Sequence, residues 1–268
     1  MILLPVKESK MNQYWKEYFV YDATDALTAG TGVLFETNSI RIDSDADFEF
    51  LKTSFESTSD RVKLKYKDES AGRYLFKGSI DIKEIAGRNT LAMGNSNAFL
   101  PFIWPKPYLV AAATLFTVES ADYSGVANTM RLAFHGAKIR SGQAPWERKF
   151  RAAIPFVYGF TNGSVSVAAN STSSQNIEID IDSHFLVQKI VGIRDGGALV
   201  SIGENARGMD WMNTAIHIDN LIGNGAFPNI LPAPRFIRRG SVVTVNIQNL
   251  MAIANVVNIS LIGTKLYE

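Results

Sequence analysis

Asp43, Asp45 and Asp47 occupy alternate positions of DSDAD, and Glu178, Asp180 and Asp182 do the same in EIDID. Alternate side chains of an extended chain point to one side, about 6.5–7 Å apart. That is too far for one shared proton but suits calcium held through carboxylate oxygens. Asp43, Asp45, Asp180 and Asp182 are therefore candidate metal ligands. The plainer alternative is a solvated acidic strand face or turn. The densest basic spot is RFIRRG, with Arg235, Arg238 and Arg239. It could meet phosphate or an acidic partner, or be a solvated loop after Pro234. Phe99, Phe102, Trp104 and Tyr108 crowd the equivalent earlier segment, and such rings are enriched at subunit contacts as well as in cores. Trp104, Tyr108, Phe102, Arg235, Arg238 and Arg239 form the candidate interface set.

There are three histidines. His135 is expected at a core edge or interface. His217, between Ile216 and Ile218, is expected to point outward, and His184 to sit near a strand start. No two have metal-ligand spacing, and the His-x-His of the cupins is missing. The chain has no Gly-x-Ser-x-Gly elbow, P-loop, dinucleotide fingerprint or cysteine. No catalytic or cofactor-binding residue is assigned, so the expectation is a protein that is not an enzyme.

The 268 residues carry a net charge of +1, which gives no general field for nucleic acid or an anionic membrane. No run approaches the roughly 20 apolar residues of a membrane-spanning helix. The start, MILLPVKESK, lacks the pattern of a signal peptide, so the chain is expected to stay where it is made unless carried out in an assembly.

The elements that position these groups repeat. Phe-Val-Tyr at Phe19–Tyr21 recurs at Phe156–Tyr158, with Trp15 and Trp146 upstream. IRIDSDADFEFLK (Ile40–Lys52) aligns with IEIDIDSHFLVQK (Ile177–Lys189), and SIDIKEIAG (Ser79–Gly87) with AIHIDNLIG (Ala215–Gly223). IWPKPYLV (Ile103–Val110) aligns with ILPAPRFI (Ile230–Ile237), and VANTMRLAFHGAKI (Val126–Ile139) with IANVVNISLIGTKL (Ile253–Leu266). The blocks are colinear. The spacing changes mainly at Arg88–Asn97, read as a longer surface loop.

Each block alternates like a strand with one wet face, as in Val62, Leu64 and Tyr66 of RVKLKYK. The one helix candidate is KESKMNQYWKEYF near the start. Pro105/Pro107 and Pro232/Pro234 are expected in an extended connection before the last two strands, since proline cannot sit in a central strand. Gly136 and Gly263 mark a bulge or a close backbone approach. The fold class is all-β: two tandem antiparallel jelly-roll β-sandwich domains related by internal duplication. Residues 1–142 form the first, with an N-terminal arm over Met1–Lys10. Residues 143–268 form the second, with the linker near Ser141–Lys149.

The block FLPFIWPKPYLV…GVANTMRLAFHGAKI and its twin PNILPAPRFIRRGSVVTVNIQN…IANVVNISLIGTKLY resemble the C-terminal part of jelly-roll structural proteins of bacteriophage particles. Two such units in one chain are also similar to small double-jelly-roll capsid proteins. The resemblance implies a virion structural protein of the capsid shell or of a head or neck layer. It implies self-association, a trimer being favoured, contacts with other virion proteins, and no specific nucleic acid. Location would be the virion after synthesis in the host cytoplasm. The alternative is a carbohydrate- or receptor-binding jelly roll of a phage fibre or tail, with Phe99–Tyr108 as stacking surface.

Overall fold

A computed structural model of the chain describes residues 13–30, 32–87, 102–205, 208–225 and 227–268. The expected arm Met1–Lys10, the loop Arg88–Asn97, Phe99 and the side chain of Phe102 lie outside the described residues.

The chain is nearly all strand. The first half contains β1 (Tyr14–Leu27), β2 (Glu36–Arg41), β3 (Phe48–Ser57), β4 (Val62–Asp68), β5 (Arg73–Tyr74) and β6 (Ile80–Asp81). A single helical turn, α1 (Ile82–Ile85), precedes β7 (Phe102–Val110), β8 (Leu115–Asp122) and β9 (Asn128–Ser141). The second half runs β10 (Ala152–Gly159), β11 (Val165–Val167), β12 (Thr172–Glu178), β13 (His184–Arg194), β14 (Ala198–Glu204), β15 (Met209–Asp210) and β16 (Ile216–His217). Then come α2 (Ile218–Leu221), β17 (Asn229–Ile237), β18 (Val242–Asn249) and β19 (Asn255–Tyr267).

Among the described residues four antiparallel sheets result. In the first half, β1-β9-β3-β7 faces β2-β8-β4-β5, with β6 on β4. In the second, β10-β19-β13-β17 faces β12-β18-β14-β15, with β16 on β14 and β11 on β19. These interleaved orders are those of jelly rolls. We call β1-β9-β3-β7 sheet A and β10-β19-β13-β17 sheet C. Alternation behaves as expected in β4 and β14, whose side chains are buried at every second position.

Three local readings are corrected. Within the described part of the helix candidate, Gln13–Phe19, Tyr14–Phe19 begins a 14-residue strand paired with β9 along its whole length. Helical propensity is a weak prior, and burial of Phe19, Tyr21 and Ala23 in the first core overrides it. The prolines sit within strands β7 and β17 rather than in an unpaired connection, although these strands do lead into the last two of each half. Both strands end their sheets, and the ladder skips the prolines, jumping from Phe50↔Tyr108 to Lys52↔Ile103 and from Val187↔Arg235 to Lys189↔Ile230. His217 is buried, because the chain turns inward into α2 directly after it.

The register shifts of β3 and β13 lie where they cross Gly136 and Gly263. A Cβ on Gly136 would collide with the backbone oxygen of Glu49, and one on Gly263 with that of Leu186. Backbone cannot yield as a side chain can. Gly136→Ala and Gly263→Ala should therefore each cost more than about 2 kcal/mol, read as a lower urea midpoint at unchanged slope.

Candidate functional site

The repeated motifs meet in space, once in each half. Lys138, of Gly-x-Lys on β9, places its Nζ 2.7 Å from Asp43 Oδ2 and 3.0 Å from Asp45 Oδ1. The same ammonium lies 4.0 Å from the centre of the Phe19 ring. Tyr21 OH accepts the backbone N–H of Asp43 at 3.0 Å. In the second half Lys265 bonds Asp180, lies 4.0 Å from Asp182 and stands 4.1 Å over the Phe156 ring. Tyr158 OH accepts from the Asp180 N–H at 3.2 Å. Phe-Val-Tyr, Asp-x-Asp and Gly-x-Lys are thus three walls of one lysine cage, each wall from a different strand or turn.

The candidate metal ligands do face a cation, and it is the chain's own ammonium. Among the described residues no group of three or more His, Asp or Glu is placed to hold a metal ion. At Asp45 burial opposes ionisation, yet hydrogen bonds from Lys138 and Arg140 outweigh it and hold the carboxyl below its usual range. Asp180 is lowered first by its bond from Lys265. Burial works against the Lys265 ammonium, but its bonds to Asp180 and Tyr158 raise its pKa well above the usual value. Lys265→Met should cost about 1–3 kcal/mol, the range for a hydrogen bond to a charged group reduced by solvent screening at the half-exposed Asp180. The loss should fade at acid pH as Asp180 protonates, because a depressed carboxylate stabilises only above its folded pKa. Urea melts at pH 7 and pH 3 check this.

The second cluster is a polar seam between the halves. The outer face of sheet A is covered by β17, α2 and the strap Trp211–Asn213 of the second half. Val20 N–H donates to Trp211 O at 3.1 Å, Asn213 N–H donates to Val20 O at 3.3 Å, and Asp22 N–H donates to Asn213 Oδ1 at 2.8 Å. Tyr18, Val20 and Ala133 consequently belong to the second half's core cluster. Inside the seam His135 lies between Tyr18 OH, 3.0 Å from Nδ1, and Ser54 Oγ, 2.9 Å from Nε2. Ser54 Oγ also donates to Asn220 O at 3.3 Å. Lys52 Nζ donates to Asn229 Oδ1 and, at 3.0 Å, to Ile230 O. Arg235, wholly buried, donates to Tyr18 O at 3.2 Å and lies 3.4 Å from Glu17.

Burial dominates the electrostatics. It lowers the Lys52 ammonium to about 7. Burial, then the nearby Lys52 charge, keeps His135 well below the usual histidine range. Burial raises the Tyr18 phenol far above its ordinary value. A Ser–His pair can run acyl transfer when its oxygen reaches substrate. Here Ser54 and His135 are both fully buried and their atoms are bonded to groups of both halves. What this arrangement does is clamp two sandwiches in one register.

The interface set divides. Arg235 is a seam residue, which corrects the reading of its segment as a solvated loop: β17 carries it inward, under the cover of the first half. Arg238 and Arg239 are exposed, and Arg239 lies 3.2 Å from Glu268. Trp104 is half-buried and stacked on Phe76, centroids 5.9 Å apart. Tyr108 OH donates to Asp68 Oδ2 at 2.8 Å and accepts from Arg73. Sequence reading missed Lys52, Ser54, Trp211 and Asn229. The available signal was Lys52 and His135 as polar breaks among apolar strand positions.

Among the described residues no helix is long and apolar enough to cross a membrane. No protein-family model matches the chain, and no curated protein is matched. Among solved structures it is similar to the infectious bursal disease virus VP2 subviral particle, at 11% identity and TM-score 0.24, over 99% of this chain and 46% of that one. The chain thus spans under half the length of that relative. It is also similar to the PBSX exported protein XepA, at 12% identity and TM-score 0.21, over 90% of this chain and 86% of that one. Likenesses this slight transfer neither ligand nor role.

Proposed function

We propose that this chain is a non-enzymatic virion structural protein of a bacteriophage, built from a doubled jelly roll and placed in the capsid shell or a head or neck accessory layer. One observation carries the reading. The reactive groups of the seam and cages, Lys52, His135, Lys138, Arg235 and Lys265, are buried and engaged in holding strands or halves together. Side chains that in an enzyme would face a cleft here stiffen a brick. Self-association follows from that role, with a trimer favoured.

The test is direct. Antibody raised against the chain, applied with gold to purified particles from a producing host, should label a regular layer of the head or neck. Label confined to unassembled lysate would overturn the reading. The sugar-binding alternative has its own observation, the half-exposed Trp104–Phe76 stack. It requires a glycan-array signal that Trp104→Ala abolishes.

A further inference from the structure

Register lets the outer faces of sheets A and C be compared row by row. In sheet A, Val20, His135, Lys52 and Ile103 are cross-strand neighbours in one row. In sheet C the same row reads Val157, Ile262, Lys189 and Ile230. In the first row Val20, His135 and Lys52 are covered by the second half, with Val20 and His135 0% exposed, and Ile103 on the edge strand β7 stays open. The second row is open: Val157 is 54% exposed, and Ile193, two rungs along, 62%. The covered face carries His135, Ser54 and Lys52, while the uncovered one carries Ile262 and Val191 in place of the first two. A face meant for water should be the more polar one, so this inversion marks a contact surface. Val157 also stands on β10, an edge strand, at the register place from which Val20 bonds the strap.

The matching partner surface is also on the chain. The strap of the second half is anchored by Trp211 N–H donating to Ile202 O. Its counterpart in the first half is anchored by Leu75 N–H donating to Tyr66 O, 2.8 Å. Among the described residues that first-half strap, Leu75–Lys77, packs only on its own sandwich. Beside it Phe76 and Trp104 pack on the first core only partly buried.

We propose that copies of this chain join head to tail by repeating the contact the chain makes within itself. The outer face of sheet C in one copy, centred on Val157 and Ile193, seats on the Leu75–Lys77 strap and the Phe76–Trp104 stack of the next. The contact is heterologous, so it generates a ring if the rotation closes and a filament if it does not. This deepens the structural-protein reading and rests on it for its purpose.

The chain has no cysteine, which makes the test clean. Within the chain Val20 bridges Met212, whose counterpart is Phe76, so Val157→Cys in one protein and Phe76→Cys in another should be close enough to bond. Mixed and mildly oxidised, the two single variants should give a disulfide heterodimer, and neither alone should dimerise. Lys77→Cys, exposed, replaces Phe76→Cys if that variant folds poorly. In light scattering the unmodified chain should show a multiple of 29.5 kDa, and Val157→Asp, on an exposed position, a monomer with unchanged circular dichroism. A monomeric unmodified chain, an oligomer indifferent to Val157→Asp, or cross-linking of Val157→Cys with itself would overturn the proposal. A monomer still found in particles sinks this contact and leaves the virion reading standing; an oligomer missing from particles does the reverse.

Discussion

Trp211→Ala is expected to lower the thermal midpoint by roughly 6–20 °C, the equivalent of about 3–5 kcal/mol in a chain of this size. Trp211 is wholly buried, and the Arg235 guanidinium lies 5.5 Å from its ring centre. Its backbone oxygen accepts from Val20 of the first half. Removing the ring therefore opens a cavity in the second core and slackens the strap over sheet A together. The calorimetric trace should broaden or split, because two jelly rolls without the clamp no longer melt as one. A shift under about 2 °C would show that the strap is not a fastening.

The second large effect is a pH dependence. Lys52 titrates near 7 in the folded chain, against 10.5 when free of burial. Between those values the unfolded chain holds the proton and the folded chain has released it. Stability therefore rises with pH from about 7 to 10.5, and below 7 the charged ammonium imposes its whole penalty, at most about 5 kcal/mol. His135 acts with the same sign below its ordinary 6.5, since the unfolded chain then binds a proton that the seam refuses. Asp22, raised by burial to about 6, acts oppositely: stability falls as pH rises from 3.8 to 6. Its window lies lower, so Lys52 governs the range from 7 to 9. Unmodified protein should gain stability from pH 7 to 9, and Lys52→Met should lose most of that slope. At pH 6 the variant should be the more stable, although Asn229 Oδ1 and Ile230 O lose their donor. Urea melts at pH 6, 7, 8 and 9 decide it; a variant that keeps the full slope refutes the assignment to Lys52.

Both effects arise where sequence reading was weakest, and the reason is physical. Asn128 and Asn255 were visible as a repeated Ala-Asn, and the structure gives both buried clamp roles: Asn128 Oδ1 accepts from Ser59 N–H, and Asn255 Oδ1 from Asp195 and Gly196 N–H. Asp43 and Lys138 were likewise visible in their motifs, but their meeting was not, since the β2–β3 turn and strand β9 that carry them are brought together only by the folded topology. His217 was misplaced because alternation from Ile216 to Ile218 assumed a continuing strand, and the chain turns into α2 there.

The sequence by itself determined the strands, their sandwich class and the matched order of their motifs. These follow from local alternation, β-branched content and glycine at close crossings, all of which act within a strand and its neighbour. Only the tertiary structure decided which outer face would be covered. Alternation separates two sides of a sheet and is silent about what lies beyond either. Val20 and Val157 answer to the same pattern, yet one is sealed by the strap and the other stands in the open, because docking depends on shape and charge assembled from residues far apart in the chain.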